Sequence, residues 1–99
     1  MSHPWNRHVL NTFRRLLEKH GLYDEYFLDL DTKFRRDLGS EVVVMTVREP
    51  GTERELRAVS TRCGVIDMLQ ALRNDLPPEH PVASWAAEAL AMYQMGLKP

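Results

Sequence analysis

Apolar and polar positions are patterned differently in successive parts of this chain. Within residues 5–20, Trp5, Val9, Phe13, Leu16, Leu17 and His20 recur at spacings of three and four, while Arg7, Asn11, Arg14, Arg15 and Glu18 fall on the other side. That is the one-sided pattern of an amphipathic helix. Lys19 and His20 stand in its last turn, where cations suit the helix dipole. Gly21 offers a left-handed cap, and Leu22 is placed for the apolar contact that accompanies one.

The next segment carries two signals. Over residues 25–30 the alternation predicts a strand with Tyr26, Leu28 and Leu30 on one face and Phe27 and Asp29 on the other. Asp31 is suited to cap a short helix over residues 32–38, closed by Gly39. Residues 41–49 are β-branched and mostly apolar, Pro50-Gly51-Thr52 is turn chemistry, and residues 54–61 alternate Leu56, Ala58 and Ser60 against Arg57 and Val59. This predicts an antiparallel hairpin whose first strand is central and whose more charged second strand lies at an edge. Gly64 then opens a helix over residues 65–76, with Val65, Met68, Leu69, Leu72 and Leu76 on one face and Asp67 in the first turn. Pro77-Pro78 end it. His80 stands in the cap region of a last helix, with Pro81 at its first position and Gly96 at its end.

That last helix, residues 81–95, has only Ser84, Glu88 and Gln94 as plainly polar side chains. A helix apolar nearly all round must be buried nearly all round, or be covered by a partner. Ser84, Glu88, Ala91 and Met95 trace one narrow wet strip with apolar surface on both flanks. One flank is expected to cover the domain's own sheet. The other makes a candidate interaction surface of Trp85, Ala89, Leu90, Met92, Tyr93 and Met95, with Leu97 beyond. Trp, Tyr and Met are interface-enriched types.

The resulting order is α-(β)-β-β-α-α. It predicts a single domain over residues 1–99 of the α+β class: two layers, with a small antiparallel sheet of two or three strands covered by three helices. A composition of 43% hydrophobic and 27% charged residues fits a folded chain.

A net charge of −1 is not the signature of a general nucleic-acid binder. Charge is uneven, however. Residues 1–22 carry four Lys and Arg against one acid, and residues 23–41 carry three against six. The plain reading sets a basic first helix beside an acidic second segment. The alternative is a nucleic-acid-binding regulator with a basic surface at Arg7, Arg14 and Arg15, and Trp5 or Phe34 as a stacking platform. The single cysteine excludes an internal disulfide. Cys63 follows Arg62 at a helix start, a setting that lowers a thiol pKa, so a small enzyme or redox protein using Cys63 is a further alternative.

His3, His8, His20 and His80 form no ligand-spaced pair, Asp29 and Asp31 read as part of a solvated acidic face, and the glycines stand singly at element boundaries. No cofactor and no metal are therefore expected. The amino-terminal residues lack a signal-peptide pattern and no apolar run reaches membrane-spanning length, so the expected location is cytoplasmic.

The order α-β-β-β-α resembles that of the double-stranded-RNA-binding domain. That family carries a lysine cluster at the start of its second helix, where this chain has Cys63-Gly64-Val65-Ile66-Asp67, without a lysine and with one acid. Small homodimeric secretion chaperones of bacteria are similar in element order alone. The expectation is a non-enzymatic adaptor, chaperone-like or regulatory domain of a small bacterial type. It would form a homodimer, or dock a different protein, through its last helix.

Overall fold

A computed structural model describes residues 4–49 and 51–97, the first three of these by backbone alone. Its elements run α1 (Pro4–Lys19), α2 (Tyr23–Tyr26), β1 (Phe27–Arg35), β2 (Ser40–Arg48), β3 (Glu55–Ser60), α3 (Val65–Asp75) and α4 (Pro81–Gln94). The α+β class and the element order are those the sequence predicts, with a third strand and one short extra helical turn, α2.

Helix α1 buries Val9, Phe13 and Leu17, one residue per turn on one face. Its end is a Schellman cap: the Gly21 N–H donates to the Glu18 carbonyl (3.0 Å) and the Leu22 N–H to the Leu17 carbonyl (2.9 Å). Gly21 takes φ +70°, the left-handed conformation that such a cap requires. Leu22 packs against the core as expected. His20 does not join the buried face; its ring lies 5.6 Å from that of Trp85. The Trp5 side chain and Pro50 lie outside the described residues.

The segment after α1 departs from expectation. Residues 32–38 do not form a helix. Strand β1 runs on to Arg35, and a turn over residues 36–39 leads into β2, with Gly39 at φ +65°. Asp31 caps nothing; its Oδ1 accepts the Thr32 N–H at 2.8 Å. Each of residues 32–35 has a cross-strand neighbour among residues 40–43, and this pairing overrides the local helix signal. The predicted facing of β1 changes at its start as well: Tyr26 belongs to α2, and Phe27, not Leu28, shares a face with Leu30. Phe27 pairs with Val47 but Asp29 with Thr46, so Leu28 is the extra residue of a β-bulge. The bulge turns Phe27 and Leu30 onto the same buried face and leaves Leu28 exposed.

The sheet order is β1-β2-β3, antiparallel throughout, with β2 central as predicted. Phe27, Leu30, Val43, Met45, Val47 and Ala58 point into the core. By alternation, Asp29, Asp31, Lys33 and Arg35 share the opposite face with Val42, Val44, Thr46, Arg57 and Val59. Helix α3 packs along β3 and against α1, burying Met68, Leu69, Ala71 and Leu72. Helix α4 makes its most extensive contact with α3, and its inward residues join one core with those of the sheet.

Leu72 is fully buried in this arrangement, whereas Ile66 on the same helix is 48% exposed. Leu72→Ala is expected to cost about 2–5 kcal/mol of unfolding free energy. Ile66→Ala is expected to stay within about 0.5 kcal/mol of the parent. Urea denaturation followed by circular dichroism measures both, with unchanged slope as the check that only stability has moved.

Candidate functional site

Helix α4 is built as its sequence dictates, with an unusual amino-terminal cap. His80 takes extended dihedrals, its Nδ1 accepts the Val82 N–H at 3.1 Å, and Pro81 follows at the first helical position. The inward face is Val82, Ala83, Ala86, Ala89 and Leu90. The small side chains allow a close approach to α3. At the carboxyl end, Gly96 at φ +78° completes a second Schellman cap. The Gly96 N–H donates to the Tyr93 carbonyl (3.0 Å) and the Leu97 N–H to the Met92 carbonyl (2.8 Å).

This geometry sorts the six expected interaction residues. Ala89 and Leu90 are 1% and 2% exposed and belong to the chain's own core, so no partner can reach them. Trp85 and Tyr93 are half-buried and pack against that core with part of their rings outward. Met92 is half-buried. Met95 and, beyond the cap, Leu97 are 67% and 53% exposed. The wet strip of Ser84, Glu88, Ala91 and Met95 is on the surface as expected. The apolar surface that remains lies at the carboxyl end of α4, with Trp85 one flank away.

The three arginines of the possible basic surface behave differently. Arg7 and Arg15 are exposed. Arg14 is half-buried, with its guanidinium 5.3 Å from the centre of the Tyr23 ring and its Nε buried without a hydrogen-bond partner. It is a cation–π contact fastening α1 to α2, not an open basic position.

Cys63 contradicts the expectation of a lowered thiol pKa. Burial pushes the thiol upward, and the carboxylates of Asp67 and Glu41 push in the same direction. The adjacent Arg62 and the start of α3 do not outweigh these effects, because the folded chain brings Asp67 and Glu41 to the sulfur.

A feature the sequence does not reveal is a hollow of about 220 Å³ lined by Glu49, Pro77, Glu79, His80 and Pro81. The ring of His80 is buried there, and its Nε2 has no hydrogen-bond partner. Because Nδ1 accepts from Val82, the neutral ring carries its proton on Nε2. Nothing in the local pattern marks this site, since Glu49 comes from the β2–β3 turn, Pro77, Glu79 and His80 from the α3–α4 connection and Pro81 from the start of α4. Among the described residues, no group of three His, Cys, Asp or Glu is placed to hold a metal ion. None of their helices is long and apolar enough to cross a membrane.

No family model, no curated protein and no solved structure matches this chain.

The raised thiol pKa has a direct chemical consequence. Near neutral pH the sulfur stays protonated, and only the thiolate is nucleophilic. Alkylation of Cys63 by iodoacetamide near neutral pH is expected to be slower than that of free cysteine. It should speed up in Asp67→Asn, which removes a carboxylate that raises the pKa. A rate above that of free cysteine would mark an activated thiol instead.

Proposed function

We propose that this chain is a non-enzymatic protein-interaction domain that docks a partner polypeptide through the carboxyl end of α4. The observation that supports the reading is the exposure of Met95 and Leu97, beside half-buried Met92, Tyr93 and Trp85, at the end of a helix whose inward face is buried. Two large apolar side chains held in water by a closed cap gain about 1.5–3 kcal/mol each when covered. Tyr93 and Trp85 supply rigid aromatic area with a polar atom at the rim, the kind of residue that anchors interfaces. The low thiolate character of Cys63 supports a non-catalytic role for it. A cytoplasmic setting, for a chain whose single cysteine can form no internal disulfide, belongs to the same reading.

Deleting α4 would not test this, because Val82, Ala83, Ala86, Ala89 and Leu90 are part of the core. Surface variants do. Met95→Lys combined with Leu97→Lys is expected to leave the thermal midpoint nearly unchanged and to weaken partner binding by more than about tenfold, equal to about 1.4 kcal/mol. Affinity capture from source-cell lysate, comparing this variant with Arg15→Glu, is the measurement. A partner retained by Arg15→Glu and lost from the double lysine variant supports the reading. A partner equally retained by both, or an oligonucleotide bound at low salt through Arg7 and Arg15, overturns it.

A further inference from the structure

The two edges of the sheet are finished differently. In the β2–β3 hairpin, the Glu49 N–H donates to the Arg54 carbonyl at 3.0 Å, which makes Glu49 and Arg54 a hydrogen-bonded pair. In an antiparallel ladder such pairs alternate with non-bonded ones. Val47, Met45 and Val43 therefore direct their backbone groups at β3, and Val42, Val44 and Thr46 direct theirs at β1.

The consequences for the outer strands follow from the register. On β3 the outward groups include those of Val59, and the Val59 N–H is taken by Asp75 Oδ2 of α3 at 2.9 Å. That edge is covered by a helix. On β1 the outward groups belong to Leu30, Thr32 and Phe34. Among the described residues, the one hydrogen bond recorded there is local, from the Thr32 N–H to the side chain of its own neighbour Asp31. Asp29, Asp31, Lys33, Phe34 and Arg35 are all exposed, Phe34 at 63%. An exposed strand edge of this length is a template for pairing with another chain.

The side chains along this edge specify the occupant. Beyond the bulge, the regular part of β1 is residues 29–35, and Thr32 is its midpoint. When a second copy is laid antiparallel with Thr32 opposite Thr32, Asp31 faces the other copy's Lys33 and Asp29 faces its Arg35. Leu30 then faces its Phe34. Leu30, Thr32 and Phe34 form the hydrogen-bonded pairs, about six new backbone bonds in all. The charged residues fall at the non-bonded positions, where facing side chains approach most closely.

Sliding the register by two residues either way sets Asp31 against Asp31 or Lys33 against Lys33. A larger slide sets acid against acid or base against base again. Only the register centred on Thr32 sets all four charged residues of the strand against opposite charges.

We propose that β1 is a self-pairing edge, through which two copies of this chain join by Asp29-to-Arg35 and Asp31-to-Lys33 contacts into one continuous six-stranded antiparallel sheet. The interface is isologous, as a two-fold dimer requires. The exposed Phe34 gains cover beside Leu30 of the second copy. Thr32 exchanges its bond to Asp31 for one to its counterpart. Arg35 is ion-paired with Asp37 at 2.5 Å in the single chain, and it faces Asp29 of the second copy from that position. This surface is separate from the end of α4, and neither reading needs the other.

Seven residues a side against the roughly 20–30 of a standard interface make this a weak dimer, detectable on the order of 100 μM chain. Sedimentation equilibrium of the full chain is expected to show a monomer–dimer equilibrium that weakens as salt is raised. Asp31→Lys alone and Lys33→Asp alone each put like charges face to face. Each should raise the dissociation constant by more than about tenfold. An equimolar mixture of the two variants restores opposite charges at both positions and should dimerise again, which also shows that both variants fold. The Met95→Lys and Leu97→Lys protein should dimerise like the parent. A parent chain that stays monomeric at about 1 mM overturns the proposal. So does either single variant dimerising as the parent does, or a mixture that remains monomeric.

Discussion

Helix α3 is the element on which the rest of the structure depends. A three-stranded sheet has one face to bury, and α4 is too apolar to stand in water. Both needs are met on α3, which packs along β3, against α1 and under α4. Its buried residues span more than a narrow stripe: Met68, Leu69, Ala71 and Leu72 are all inside, with Leu76 at its end. Ala71 lies on the side that meets β3, beside Val59 and Ser60. One turn on, Asp75 reaches the Val59 N–H and closes that edge of the sheet.

From this constraint follows an asymmetry. Covering β3 with α3 leaves β1 as the edge without a helix along its outward backbone groups. The chain manages that edge with known devices: a bulge at Leu28, a lysine, and charged residues at alternate positions. The charges are segregated, acids before the midpoint and bases after it. A strand charged in this order repels a copy slid along it and accepts one centred on Thr32. The same groups that discourage random pairing therefore encode one specific pairing.

The two ends of α4 show how similar local chemistry gives different outcomes. At its start, His80 is buried as a cap, with Nδ1 used and Nε2 unpaired. At its finish, the Schellman cap satisfies the last carbonyls and directs Met95 and Leu97 outward. Cys63 makes a related point. Sequence neighbours alone, Arg62 and a helix start, argue for an activated thiol. The folded chain brings Asp67 and Glu41 to it, and their charge with burial reverses the effect.

Much of the fold was legible in the sequence, because helix periodicity, caps and turn residues are local. The face of α3, the Val9, Phe13 and Leu17 part of the α1 face, the β2–β3 hairpin, Gly21, Pro81 and Gly96 lie where short-range rules place them. So does the wet strip of α4. Three things only the tertiary structure decided. The fate of residues 32–38 depended on β2 offering a complete ladder, a contact that local propensity cannot weigh. The facing of β1 depended on one unpaired residue, Leu28, and a shift of one position exchanges the two faces of a strand. Which parts of α4 remain outside depended on how it docks against α3: Ala89 and Leu90 went into the core, while Met95 and Leu97 stayed in water. In each case the sequence determined which residues must be buried, and long-range packing determined what buried them.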